Sequence, residues 1–177
     1  MENTMENRAA SKLRIGSISE TKTLVAGIVT GQIAGLIMAV VIMIVFTVFL
    51  GKGPLFPVQV IGSMVFGAAA LQGVHIGAIL AGLVLHQAGP SLMWGVLFGF
   101  LAKKFSVETA RASLGLGLGV GVIAMVGPYL LIPFLMKSLH GTDFWSQEVP
   151  MMWDWAAHFV FGASFVLYPK IKNMLLS

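Results

Sequence analysis

Two histidines, His86 and His158, lie inside stretches that are otherwise almost wholly apolar, and they are the only side chains there that titrate near neutral pH. Ionisable groups within hydrocarbon are costly, usually face the interior of a helix bundle and mark functional positions. Imidazole offers three chemistries in such a setting. It can ligate a metal or haem iron through a bare ring nitrogen, relay a proton, or donate a hydrogen bond. Asp154 precedes His158 by four residues, so on a helix the two side chains share a face. A carboxylate there can bias the protonation of the ring or fix its tautomer, which makes Asp154 a tuning partner for His158. Each histidine can equally satisfy a carbonyl freed at a proline or glycine kink and have no other role. His75, His140, Asp143 and Glu148 gather toward one face, but their spacing matches no ligand motif, and no metal site is expected.

The elements that must position these residues are read from the apolar runs. Leu24 to Leu50 is twenty-seven residues without a charge and with one amide, Gln32. At about 1.5 Å per residue this run outreaches a hydrocarbon core of roughly 30 Å and can span with some tilt. Gly27, Gly31 and Gly35 recur at four-residue spacing within it, a small-residue face on which another helix can pack closely. The run is too long for the apolar core of a secretory signal, and no small-x-small cleavage site closes it. Residues 1–23, of mixed charge, therefore read as a cytoplasmic, partly disordered tail.

From Pro57 to Ala102 the chain is apolar for about 46 residues, too long for one span and barely enough for two. One partition makes 57–71 a short re-entrant or interfacial helix and 74–102 one span kinked at Gly89-Pro90. The other makes two spans, to about Gly77 and from Gly82. The distribution of Lys and Arg separates them. Four spans put nine basic residues on one side and two, Lys52 and Lys137, on the other, whereas five spans put five against six. Basic residues collect on the cytoplasmic side, so four spans with both termini cytoplasmic are predicted.

The third span is expected at about 113–136. It opens with Gly115, Gly117, Gly119 and Gly121 and is interrupted at Gly127-Pro128 and Pro133, where the helical ladder loses its donors. Gly117 and Gly121 make a second candidate packing pair. The fourth span, about 151–169, is bracketed by Trp153 and Trp155 at one end and Tyr168 at the other, the usual residues of a bilayer interface. Trp94-Gly-Val-Leu-Phe98-Gly99 echoes His158-Phe-Val-Phe161-Gly162, which suggests two copies of a helix pair. Counted inward from the outer ends, His86 is about 18 Å deep and His158 about 10 Å, and tilt or a different start of the second span would bring them level.

Composition sets the outer limits. The chain is 57% hydrophobic and 10% charged, with a mean hydropathy of +0.90, which describes one membrane-embedded unit of 24–177 with no separate soluble domain. The net charge of +4 flanks apolar runs and forms no nucleic-acid footprint. Zero cysteine excludes disulfides, thiolate-held clusters and covalent c-type haem, and leaves a histidine-bound cofactor open.

Four functions meet these limits. Glycine faces, few buried polar groups and short loops suit a non-catalytic accessory or assembly subunit of a larger membrane complex, with the bilayer and other subunits, or a second copy, as partners. A b-type haem carrier would use His86 and His158 as axial ligands, against which their unequal depths count. A small-solute or proton transporter would use the broken helices, although no buried carboxylate chain accompanies them. An enzyme would need a nucleophile–base or metal constellation that the sequence does not display. The subunit is the reading preferred.

Gly27-Ile-Val-Thr-Gly31-Gln-Ile-Ala34-Gly35, Trp94-Gly-Val-Leu-Phe-Gly99 and Ala157-His158-Phe-Val-Phe, the last following an aromatic and acidic loop, resemble the YagU-like small inner-membrane proteins. The resemblance implies four spans, a bacterial inner-membrane location and no known catalytic activity. The fold expected is thus an all-α integral membrane bundle of four transmembrane helices, with a re-entrant or interfacial helix after the first.

Overall fold

The structure is a computed structural model that describes the backbone from Glu2 to Leu176 and the side chains of residues 21–175. The tail expected over 1–23 lies almost wholly outside those described side chains. Every regular element among the described residues is helical. The chain runs through α1 (Glu2–Phe49), α2 (Phe56–Phe66), α3 (Ile76–His86), α4 (Leu92–Lys104), α5 (Ala110–Ala124), α6 (Ile132–His140), α7 (Phe144–Glu148), α8 (Met151–Ser164) and α9 (Tyr168–Leu176). Tighter or wider turns bridge several of these. A 3₁₀ turn follows α2 over Gly67–Leu71, another joins α8 to α9, and π turns join α3 to α4 and α5 to α6.

Among the described residues three helical stretches are long and apolar enough to cross a membrane: Thr21–Phe49, Ile76–Lys104 and Ala110–His140. In hydrocarbon a backbone must satisfy its own polar groups, which is why such sequences are helical throughout. The stretch expected to be fourth is helical from Met151, but Asp154 and His158 lower its hydropathy. Where a short helix is expected over about 57–71, α2 and its 3₁₀ turn occupy Phe56–Leu71. Gln59 ties the two together, donating to the carbonyls of Ala70 and Gly73 at 2.6 and 2.7 Å.

The helices pair through glycine. A Cβ added at Gly27 would run into the backbone of Gly99, and one at Gly31 would lie 2.5 Å from Gly95 Cα. Rising along α1, the partners fall along α4 (27 with 99, 31 with 95), so the two helices are antiparallel. Gly117 and Gly121 of α5 meet α8 in the same manner, at Gly162 and at the carbonyl of His158. The segments that echo each other in sequence are thus the two that receive a glycine-bearing helix. Gly62 and Gly82 join α2 to α3, against Ala78 and Val58, so α2 runs antiparallel beside α3.

Where the pairs meet, Phe98 of α4 stacks on Phe165 with ring centroids 4.1 Å apart, and Tyr168 packs edge-on against Phe98. Val120, Phe161 and Ala26 belong to the same core. A smaller cluster of Val45, Phe46, Val60 and Val149 binds α2 to the far end of α1. Ion pairs join the loops at both ends of the bundle, Lys172 with Glu108 at 2.7 Å and Lys52 with Glu148 at 3.3 Å.

Candidate functional site

The two π turns carry the two Gly-Pro words, Gly89-Pro90 and Gly127-Pro128. Proline has no N–H for the carbonyl four residues back, and a π turn takes up the slack by bonding five residues back. The N–H of Leu92 accordingly reaches the carbonyl of Gln87, and that of Ile132 reaches Gly127. Each turn widens its helix locally. Between them lies a cavity of about 410 Å³, lined by residues of both turns and by His86 and His158. The depths counted from the helix ends separated these histidines; the fold brings both to the lining of one cavity.

The cavity walls are chiefly apolar, with Met38, Met64, Met93, Trp94 and Phe161 among them. Several lining residues are also exposed on the outside of the bundle: Ala88, Gly89, Pro90, Met93 and Leu131. The π turns therefore form a rim through which the cavity reaches the lateral surface.

A polar network backs the His86 wall. Gln32 Nε2 donates to the carbonyl of Gln87 at 3.0 Å, and Gln87 Nε2 donates to the carbonyl and the Oε1 of Gln32 at 3.3 and 3.2 Å. Because backbone carbonyls only accept, these bonds fix which end of each amide is which. Gln87 Oε1 is then an acceptor. It receives the Ser91 hydroxyl at 3.1 Å and the Nδ1 of His86 at 3.0 Å. Gly35 belongs here too, since a Cβ on it would strike Ser91.

His158 is buried, and its Nδ1 lies 2.9 Å from the carbonyl of Asp154 and 3.3 Å from Asp154 Oδ1. Both of those atoms accept, so Nδ1 carries the hydrogen. The other carboxylate oxygen receives the indole N–H of Trp145 at 3.1 Å. Asp154 sits in the first turn of α8, where the helix dipole favours a negative charge.

The remaining polar residues singled out in sequence hold local structure. His75 caps α3 by accepting from Ala78 N at 3.0 Å, and Asp143 caps α7 by accepting from Ser146 N at 3.1 Å. His140 Nε2 donates to the carbonyl of Met64 at 3.0 Å, and Glu148 pairs with Lys52. Among the described residues no group of three or more His, Asp or Glu is arranged to hold a metal ion. Gln87 and Ser91 escaped the sequence reading. Their signal was present, a glutamine directly after an intramembrane histidine and a serine one turn on.

Among the described residues the protein is all-helical, with three helices long and apolar enough to cross a membrane. Compared with known proteins, it matches no family model, no curated protein and no solved structure.

Proposed function

We propose that this chain is a four-span protein of the bacterial inner membrane that holds a small lipophilic molecule in a cavity between its spans. One observation carries the reading: the two intramembrane histidines and both π turns line the same cavity. Ligand sites are concave, mostly apolar and furnished with a few fixed polar groups, and π turns recur at functional positions. A rim of exposed residues in the middle of an apolar helix gives the ligand entry from lipid, as needed for a molecule that partitions into the bilayer.

The fourth span is α8 with α9, packed on α5 through Gly162. The nine-against-two distribution of Lys and Arg supports it, with both termini on the cytoplasmic side. In that orientation α2 is a re-entrant helix standing beside α3. The inner-membrane location follows the resemblance to YagU-like proteins. A duplicated helix pair is supported by the matched crossings, Gly27 and Gly31 on Gly99 and Gly95, and Gly117 and Gly121 on Gly162 and His158. The π turns do not match between the halves, one lying in the second helix of its pair and the other in the first.

A role as an assembly subunit keeps one specific support. Gly115 and Gly119, one turn apart on α5, have open space over them and stand near exposed Val122 and Val126. A second copy or another membrane subunit would pack there, leaving the cavity as the lipid-facing site of the assembled unit. Haem held between His86 and His158, and a small-solute or proton transporter, are the remaining alternatives.

Native mass spectrometry on protein released from its own membranes tests the cavity reading. The wild-type chain is expected to retain an added mass that Ala124→Leu, which fills the cavity from a buried wall position, loses while remaining folded. Equal bound mass in both proteins would contradict the reading.

A further inference from the structure

The hydrogen-bond pattern around the cavity specifies a ligand more closely than its shape does, a specification that rests on the cavity being a binding site. His86 and His158 are each held at Nδ1 by an acceptor that cannot donate: the oriented amide oxygen of Gln87 for the first, the backbone carbonyl of Asp154 for the second. A neutral imidazole carries one hydrogen, so with Nδ1 donating, Nε2 is a bare lone pair. The two rings reach this state independently, from different helices and through different partners.

Several donors at the cavity are already engaged, and the wall also includes Trp94, whose indole N–H is a further donor. Ser91 gives its hydroxyl hydrogen to Gln87 Oε1, and Trp145 gives its indole hydrogen to Asp154 Oδ2. The half-buried amides of Gln32 and Gln87 are turned toward each other and toward backbone. The wall therefore presents two imidazole acceptors beside the Trp94 indole in an otherwise apolar surround. An acceptor facing an apolar cavity is left unpaired unless the ligand brings a hydrogen, so such a site favours a ligand that does.

We infer that the cavity selects a lipophilic hydroxyl compound, an alcohol or phenol whose O–H is donated to Nε2 of His86 or His158 while its apolar body lies against the methionine and aromatic wall. The exposed rim at Ala88, Gly89, Pro90 and Met93 sets the direction of entry, from the acyl-chain region. A carbonyl compound of the same size brings only acceptors and finds none of its hydrogen bonds at the two rings.

The full chain in lipid nanodiscs provides the test, with 4-nonylphenol as probe and its O-methyl ether as a control of the same shape without the donor. Binding above that of empty discs is measured for both. Imidazole ¹⁵N spectra of histidine-labelled protein report in parallel which ring nitrogen carries the hydrogen. The phenol is expected to bind about tenfold more tightly than the ether. Free protein should have both rings protonated at Nδ1, and the phenol should move the Nε2 resonance of at least one of them. His86→Phe and His158→Phe should lower phenol affinity and leave the ether unchanged; if either variant fails to fold, the ¹⁵N spectra of the wild type decide.

Equal affinity for phenol and ether would overturn the inference while leaving the cavity as a binding site. Binding of neither would overturn the cavity reading with it. Rings protonated at Nε2 would overturn the inference, as would a bis-imidazole haem spectrum on addition of haemin together with exclusion of the phenol.

Discussion

Gln32 and Gln87, fifty-five positions apart, each donate a side-chain hydrogen to the other's backbone carbonyl, at 3.0 and 3.3 Å. This reciprocal pair locks α1 to the π turn of the second long helix and orients the amide oxygen that holds His86. Two isolated amides in apolar helices would each be a burden in hydrocarbon, whereas paired they satisfy one another.

A double-mutant cycle measures the pair. Gln32→Leu and Gln87→Leu should each destabilise the fold, and their coupling should be about 1 kcal/mol, the scale of interhelical hydrogen bonds in membranes. Reversible unfolding in mixed micelles reads the coupling. Additive single effects would mean that the amides act separately.

Glycine positions divide into filled and open. Gly27→Ala forces a methyl into the backbone of Gly99 and should destabilise by about 1–3 kcal/mol, as overpacking does. Gly115→Ala meets open space and should be neutral, or stabilising by up to about 1 kcal/mol through helix propensity. Thermal unfolding in detergent compares the two, and Gly27→Ala must prove the less stable.

Much of the helical layout was legible because lipid leaves a chain few choices. Leu24–Leu50 is charge-free and long, and Gly127-Pro128 announces a break that the structure resolves as a π turn. Contact partners were not legible. Gly27, Gly31 and Gly35 declare that something approaches closely, but nothing in their spacing says that Gly99, Gly95 and Ser91 do. That His86 and His158 line one cavity was not legible, since a count of rise along one helix knows nothing of its neighbour's offset. Gln87 was overlooked inside an apolar run, since its role exists only once Gln32 faces it.

Asp154 was expected to tune His158 through its carboxylate, yet its backbone carbonyl is the shorter partner of Nδ1, 2.9 against 3.3 Å. Asp154→Asn should therefore leave His158 protonated at Nδ1 in ¹⁵N spectra, with the change felt instead at Trp145, whose N–H loses a charged acceptor. A switch of the His158 tautomer in that variant would assign the control to the carboxylate.

Pro128→Ala restores an N–H that can bond Ala124 and draws the π turn back toward α-helical register. The cavity should shrink, and 4-nonylphenol binding should fall by about tenfold while helix content is unchanged by circular dichroism. Unaltered binding would mean that the π turn does not shape the cavity.

The meeting of His86 and His158 on one cavity can be tested without any ligand, because the chain has no cysteine. In the double variant His86→Cys/His158→Cys the only two thiols would face each other across the cavity. A short, membrane-permeant bis-thiosulfonate should then bridge them within a single chain, giving one linked peptide pair by mass spectrometry. Independent modification of the two thiols, with no bridge formed across a series of reagent lengths, would contradict the shared cavity.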